Sequence, residues 1–154
     1  MTEWREVAGE EGRYEVSDDG RVRSVMKGSP HELKPWGRPP KGYLTVKFGH
    51  AGKSLSVHRL VLEAFRGPCP PGHEALHADD NHMNNHLSNL RWGTRSENQI
   101  DRVRNGLSHN ANKTHCKRGH RFNRENTYIK RGGGRQCRVC LKDAARMKRK
   151  VGVR

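Results

Sequence analysis

The apolar residues in the first half of the chain change from a period of two to the period of a helix. Alternating tyrosine and valine residues flank the turn sequence SDDG at 17–20, which predicts a small antiparallel hairpin. The segment YLTVKF at 43–48 alternates in the same way and predicts a half-buried strand that turns at GHAGK and returns through SLSV. From Val57 the apolar spacing becomes helical, and RGPCPPG ends the helix. The stretch 27–41, rich in glycine, proline and lysine, predicts a loop.

The second half of the chain shows another strand-and-helix pattern. Residues 74–92 predict a short strand, a long polar loop and a second strand, NLRW. The sequence TRSENQIDRVRNG predicts a helix, because Thr94 and Glu97 have the spacing of a capping box. Ile100 and Val103 predict an apolar stripe on that helix, and Asn-Gly ends it. A linker then leads to the cysteine-containing segment, and LKDAARMKRK predicts a basic C-terminal helix.

The composition argues against one large core, since only 31% of the 154 residues are hydrophobic and 31% are charged. The formal net charge is +15, and the segment 101–154 holds 17 Lys and Arg against 3 Asp and Glu. So concentrated a basic segment predicts contact with a polyanion, and nucleic acid is the first candidate. The alternative is a solvated, partly disordered tail.

The sequence contains no membrane or export signal. No apolar run approaches the roughly 20 residues that span a bilayer, and MTEWREVAGEE lacks the apolar region of a signal peptide. We therefore expect a cytoplasmic protein with no membrane partner. Because a cytoplasm is reducing, the four cysteines are expected to be metal ligands or core residues rather than disulfides.

Small polar side chains crowd the segment LHADDNHMNNHLSNLRWGTRSENQ at 76–99, where few residues could fill a core. Its predicted order of strand, loop, strand and capped helix can hold one metal ion between His77 and Asn98. An imidazole can take a proton from water at neutral pH, and an amide oxygen can hold Mg²⁺, which keeps several of its waters. Either the Asn89 side chain or a nearby carbonyl would orient the imidazole. These residue types favour metal-dependent hydrolysis of a phosphodiester.

This segment resembles the His-Asn-His (HNH) nuclease motif in its phage and intron-encoded homing-endonuclease form, which reads His-x-Asp-Gly, Asn-Asn, Asn-Leu-x-Trp and Glu-Asn. The segment HRLVLEAF, from His58, resembles the helix that usually precedes the motif. EWREVAGEEGRYEVSDDGRVRSV is similar to the NUMOD4-like module often fused to these nucleases. The resemblance implies a ββα-metal core with His77 as general base and Asn89 as its orienting or loop-fixing partner. It implies that Asn98 is a ligand of Mg²⁺ or a similar ion.

Two positions depart from the family pattern. The residue before the base is often a metal-binding aspartate in the family, and here it is Leu76, which cannot coordinate an ion. Either Asn98 and substrate oxygens hold the ion, or another oxygen replaces the missing one, with Asp79 and Asp80 the nearest in sequence. Asp80 also stands where the family usually has glycine. These departures favour the alternative that the chain is a non-catalytic phage DNA-binding protein derived from a nuclease.

Three of the cysteines and one histidine form two ligand pairs, Cys116-x3-His120 and Cys137-x2-Cys140, separated by 16 residues. Such pairs suit a closed tetrahedral zinc site, since a segment with so few apolar residues could not hold itself together without metal. The alternative is a set of reduced cysteines in an unstructured tail. The segment resembles the zinc-ribbon-like tails of some phage nucleases, whose basic side chains would face DNA phosphates. Those side chains are Lys117, Arg118, Arg121, Lys130, Arg131, Arg135, Arg138 and Arg146.

The predicted fold class is α+β, with small antiparallel hairpins, a ββα-metal nuclease core and a C-terminal zinc-binding module. The predicted domains are 1–26, 42–106 and 115–150. We expect a monomeric phage endonuclease that nicks or cuts double-stranded DNA, with Mg²⁺ or another divalent ion at the nuclease site and a structural Zn²⁺ ion. A weaker alternative is an RNA-binding zinc protein.

Overall fold

The chain divides into two compact units, Met1–Asn105 and Gly106–Arg154. Both units combine helices with small antiparallel sheets, which confirms the predicted fold class. Among the residues that the structure describes, no helix is both long and apolar enough to cross a bilayer. The computed structural model describes residues 1–37, 42–49, 52, 54–150 and 152.

The first unit begins with a four-stranded antiparallel sheet whose strands follow one another in chain order. Tyr14, Val16 and Val22 are buried because alternate residues of these strands face the core. The loop predicted over 27–41 was wrong in part, since two of its residues form the fourth strand, which pairs with the third, and residues 38–41 lie outside the described residues. The strands are β1 (Trp4–Glu6), β2 (Tyr14–Ser17), β3 (Val22–Ser24) and β4 (His31–Glu32).

A second hairpin and a helix follow, as the change of period predicted. The GHAGK turn lies mostly outside the described residues, but the two strands it joins pair in register. The helix ends at Gly67, whose φ of 83° is a left-handed conformation that favours glycine. These elements are β5 (Thr45–Lys47), β6 (Ser54–Ser56) and α1 (Val57–Arg66).

One hydrophobic core joins α1 and the second hairpin to the N-terminal sheet. The Tyr14 ring of β2 stacks on the Phe48 ring, with centroids 3.9 Å apart and planes 5° from parallel. Val16, Val46 and Leu62 are fully buried members of this core. The N-terminal sheet therefore packs directly on the segment that precedes the polar cluster, and the first unit is one packed body.

The polar cluster lies on a third hairpin and the helix that follows it. The predicted capping box is present at Thr94, with both of its hydrogen bonds. The predicted stripe residues Ile100 and Val103 lie on this helix, but they are 48% and 51% exposed. An ion pair of Asp101 with Arg91 joins the helix to the hairpin. The elements are β7 (Glu74–His77), the loop 78–89, β8 (Leu90–Gly93) and α2 (Arg95–Arg104).

The second unit contains the predicted glycine-turn hairpin and the predicted basic helix. The helix begins at Arg138 rather than at residue 141, so Cys140 lies in its first turn. The predicted linker contains one short helix. Cys137 is the only buried apolar residue in the described part of this unit, which consequently has no hydrophobic core. The elements are α3 (His109–Asn112), β9 (Thr127–Ile129), β10 (Arg135–Cys137) and α4 (Arg138–Lys150).

Candidate active site and metal-ligand cluster

His77 is the last residue of β7, at the point where the strand enters the loop 78–89, and it is 5% exposed. Its Nε2 lies 3.1 Å from Oδ1 of Asn85. Because an amide oxygen can only accept a hydrogen bond, Nε2 carries the ring hydrogen and Nδ1 keeps the lone pair. No hydrogen bond engages Nδ1 within the described part of the chain. The imidazole is therefore held at one nitrogen and able to accept a proton at the other.

Three other rings surround the His77 imidazole. The ring centroids of His58, His82 and Tyr43 lie 5.2, 5.5 and 5.9 Å from that of His77. Burial lowers the pKa of His77 and outweighs the hydrogen bond to Asn85, which raises the same pKa. The imidazole is consequently neutral at pH 7, which is the form that can accept a proton from water.

His58 is a second buried histidine of the site, and it lies in the first turn of α1. Burial is the main cause that lowers the pKa of His58 to about 4, and His77 lowers it further. Its Nδ1 is buried without a hydrogen-bond partner among the described residues. The only sequence signal for this position is a histidine on an otherwise apolar helix face.

Asn89 holds the loop rather than the imidazole. Its Oδ1 accepts a hydrogen bond from the Asp79 backbone N–H at 3.1 Å, and its Nδ2 donates to Asp79 Oδ1 and to the Asn84 carbonyl, both at 2.9 Å. Of the two roles expected for Asn89, the structure places it in the loop-fixing one, while Asn85 contacts His77. Sequence reasoning missed Asn85 because a loop rich in asparagine has no periodicity that shows which side chain points inward.

The two aspartates nearest to His77 in sequence are both parts of the loop. The Asp79 carboxylate accepts hydrogen bonds from Asn81 N–H and Asn84 Nδ2, both at 2.8 Å, in addition to that from Asn89. Desolvation raises the pKa of Asp79, but these hydrogen bonds outweigh it and lower the pKa. Asp80 has a φ of 58°, which lies in the left-handed region of backbone conformation. Because glycine adopts this conformation most easily, the value explains why related motifs usually have glycine at this position.

Asn98 contacts a carboxylate that sequence reasoning did not single out. Its Nδ2 donates to Oε1 of Glu74 at 3.2 Å, and both side chains line a cavity of about 280 Å³. Leu76, on the same face of β7 as Glu74, is 2% exposed. No hydrogen bond joins His77 to Asn98 among the described residues. His58 lies next to His77 and also next to the cavity that Asn98 lines, since its ring contacts the His77 ring and lines that cavity.

Four possible metal ligands converge in the second unit, with their ligand atoms all within 4.8 Å of one another: Cys116, His120, Cys137 and Cys140. The sulfurs of Cys116 and Cys140 are 3.7 Å apart, and Nδ1 of His120 lies 3.5 Å from the first and 3.3 Å from the second. A tetrahedron with zinc–sulfur bonds of about 2.3 Å has edges of about 3.8 Å. The donor set and its spacing therefore fit one zinc ion.

Local backbone geometry explains why these four residues meet. The Cys116 N–H donates to the His120 carbonyl at 2.9 Å, and the Gly119 N–H donates to the Cys116 carbonyl at 3.0 Å, which closes a tight turn. Cys137 ends β10, and Cys140 lies one helical turn later on α4. The spacing of each pair is thus the spacing of one turn.

The basic side chains expected to face DNA differ in their surroundings. Arg135 donates to the backbone carbonyls of Asn110, Ala111 and Lys113 and lies 4.9 Å above the Phe122 ring, so it holds the second unit together. Arg118 forms an ion pair of 3.0 Å with Asp143. The remaining six are exposed, and among them only Arg138 has such a contact with a described residue, a hydrogen bond of 3.2 Å from its Nε to the Thr127 carbonyl. The six are Lys117, Arg121, Lys130, Arg131, Arg138 and Arg146.

Comparison with known families agrees with this arrangement. Residues 56–100 match the family described as HNH endonuclease, and residues 3–49 match the NUMOD4 motif. Two segments of the chain thus match the models of an HNH endonuclease and of a NUMOD4 motif, which confirms both resemblances seen in the sequence.

Individual relatives point to the same class of protein. The chain is 37% identical to DNA endonuclease I-HmuI of Bacillus phage SP01 over 107 residues, 65% of this chain and 59% of that protein. It is 28% identical to an uncharacterised HNH endonuclease of Acanthamoeba polyphaga mimivirus over 131 residues, 84% of this chain and 37% of that protein. A solved structure described as DNA binding and cleavage by the HNH homing endonuclease I-HmuI matches with a TM-score of 0.59 and 35% identity. That match covers 69% of this chain and 60% of that one. The chain thus spans less than two thirds of the length of these relatives.

Proposed function

We propose that the chain is a metal-dependent endonuclease that hydrolyses phosphodiester bonds in double-stranded DNA, with His77 as its general base. The observation that carries the proposal is the state of the His77 imidazole at the end of β7. It is buried and neutral, Asn85 holds its Nε2, and none of the described residues engages its Nδ1, which can take a proton. Relatives whose names describe a DNA endonuclease support the same activity.

In this mechanism the protein residues position and deprotonate the attacking water. Nδ1 of His77 accepts the proton of a water molecule as the water oxygen attacks phosphorus. The bond from phosphorus to the leaving 3′ oxygen breaks, and that oxygen takes a proton from solvent. Asn85 keeps the ring in the tautomer that leaves Nδ1 unprotonated. Asn89 holds the loop 78–89 through Asp79 and Asn84, so that Asn85 stays in place.

Asn98 and Glu74 are the residues that would hold the divalent ion. Their contact brings a carboxylate and an amide to one side of a cavity, and oxygen donors of these two kinds suit Mg²⁺. Glu74 thereby supplies the carboxylate that Leu76 cannot. The ion, when bound, would neutralise charge on the phosphate and on the leaving oxygen.

The second unit would extend the contact with DNA. A zinc ion held by Cys116, His120, Cys137 and Cys140 would stabilise it, and the six exposed Lys and Arg side chains named above would contact phosphates. The domain boundaries, the monomeric state and the cytoplasmic location stay predictions.

The test is cleavage of supercoiled plasmid DNA with added Mg²⁺ or Mn²⁺, compared with EDTA. We expect nicked or linear product with metal, and a rate at least about 100-fold lower for His77→Ala because the general base is lost. His31→Ala is the matched control, since His31 is an exposed histidine on β4. Equal cleavage by the His77→Ala protein and the parent would exclude His77 as the base.

A second candidate function is DNA binding without catalysis. The observation that favours it is Leu76, a buried apolar side chain at the position of the usual metal-binding aspartate. A gel-shift titration on the same plasmid fragments separates the two functions. Tight binding with no cleavage in any divalent metal would support the second candidate.

A further inference from the structure

We propose that the N-terminal sheet sets the orientation of His77, with Gly20 as a positioning residue that acts through Asn85. The inference rests on the proposed role of His77 as general base. Gly20 lies in the turn between β2 and β3, and Asn85 lies in the loop 78–89. The two residues are 65 positions apart in the chain, yet they are in direct contact.

The contact between Gly20 and Asn85 leaves no room for a side chain. A Cβ on Gly20 would lie 2.8 Å from Cβ of Asn85 and 3.0 Å from its carbonyl oxygen. A backbone hydrogen bond fixes the two segments beside this contact, since the Leu87 N–H donates to the Asp18 carbonyl at 2.7 Å. The turn of the N-terminal sheet therefore packs against the loop at the residue that holds the imidazole.

The turn itself is rigid enough to serve as a support. Ser17 is fully buried, and its Oγ accepts a hydrogen bond from the Arg21 N–H at 2.8 Å and contacts Asp19 Oδ1 at 2.5 Å. The Gly20 N–H donates to the Ser17 carbonyl at 3.1 Å. The Arg21 guanidinium in turn forms an ion pair of 3.0 Å with Asp19.

Asn85 transmits the position of the turn to the imidazole. Asn85 is 4% exposed, and its Nδ2 has no hydrogen-bond partner among the described residues. Within that part of the chain, the side-chain amide therefore makes one hydrogen bond, from Oδ1 to His77. Its location thus depends on packing, and a close-packed contact transmits a displacement. A shift at Gly20 would move Asn85, and the His77 ring with it.

Gly20→Ala tests this arrangement, and Gly9→Ala is its matched control. Both glycines have left-handed backbones, with φ of 87° and 79°, but a Cβ at Gly9 would have nothing within 4 Å. The backbone strain is therefore shared, and only the contact with Asn85 differs. The measurements are the single-turnover cleavage rate, the Kd for DNA, and the ¹⁵N resonances of the His77 ring.

For Gly20→Ala we expect the cleavage rate to fall on the order of 10-fold to 100-fold, with Kd changed less than about twofold because the DNA-contacting surface is kept. The His77 Nε2–H resonance should shift. Gly9→Ala should keep the parent values in all three measurements. A parent-like rate and parent-like His77 resonances in folded Gly20→Ala protein would overturn the inference.

A double-mutant cycle with Asn85→Ala shows whether Gly20 acts through Asn85. Once Asn85→Ala has removed the hydrogen bond to His77, adding Gly20→Ala should slow cleavage no further. Rate losses that multiply would overturn the inference. If Gly20→Ala does not fold, Ser17→Ala replaces it in the same cycle, since it loosens the turn without a collision.

The experiment distinguishes failure of this inference from failure of the proposed function. If the parent protein does not cut DNA in any divalent metal, the proposed function is wrong. The His77 resonances of the Gly20→Ala and Gly9→Ala proteins then still test the contact. If the parent cuts and Gly20→Ala protein behaves like it, only the positioning role is excluded.

Discussion

Replacing Cys140 by serine should unfold the second unit and leave the first unit folded. The second unit contains a single buried apolar residue in its described part, Cys137, so apolar burial cannot balance the entropy of ordering it. Binding of structural zinc releases an apparent free energy of about 10–16 kcal/mol at pH 7. That amount is comparable with the whole free energy of unfolding of a small domain. Loss of one zinc ligand should therefore be enough to unfold the second unit.

The expected signal follows from the lengths of the helices. α4 has 13 residues, whereas α1 and α2 have 10 each. Loss of α4 and of the short α3 should lower the far-UV helical signal by a little under about half if metal binding and folding are coupled. Zinc content, measured after acid release, should be one ion per chain in the parent and none in the Cys140→Ser protein.

Cys69→Ser is the matched control, because Cys69 lies in the first unit, outside the ligand cluster. It should keep the zinc ion and the helical signal. In a gel-shift titration the Cys140→Ser protein should bind DNA more weakly than the parent and the Cys69→Ser protein. Its DNA affinity should also depend less on salt concentration. A Cys140→Ser protein that keeps the parent helical signal after chelation would refute the account of how the second unit is stabilised.

Two further predictions concern the first unit. Glu74→Gln should weaken Mn²⁺ binding to zinc-loaded protein about 10-fold in an electron paramagnetic resonance titration, by analogy with other lost metal-site contacts, while the exposed control Glu32→Gln should not. Unchanged affinity would place the ion elsewhere. Arg21, through its hydrogen bond, lowers the pKa of Asp19 to about 2, so this carboxylate contributes stability above its ordinary pKa of 3.8 and loses it as pH falls towards 2. Asp19→Asn should therefore be less stable than the parent in urea at pH 7, by under about 1 kcal/mol after solvent screening. The difference should shrink as pH falls from 3.8 through about 2, and a difference that stays constant over that range would contradict the assignment.

Several features of the fold were predictable because their signals are local. The alternation in YLTVKF, the helical spacing from Val57 and the capping box at Thr94 each involve residues within a few positions of one another. The spacing of Cys116 with His120 and of Cys137 with Cys140 is likewise the spacing of one backbone turn.

Local signals were insufficient where a residue's partner is far away in the chain. The spacing of Ile100 and Val103 predicted an apolar stripe, but helical spacing does not tell whether a neighbour covers that face, and both side chains are about half exposed. The replacement of the usual aspartate by Leu76 was visible, but Glu74 was not suspected, because only the packing of α2 on β7 brings Glu74 to Asn98.

The amino-acid sequence alone was sufficient to predict the order of the elements, the nuclease-like motif around His77, and the ligand pairs of the second unit. Those features depend on residue type and short spacing, which the chain states directly. The three-dimensional structure was needed to show that Asn85 rather than Asn89 contacts the imidazole and that Gly20 packs against Asn85. These contacts join segments far apart in sequence, and only close packing of the shared core specifies which side chains meet.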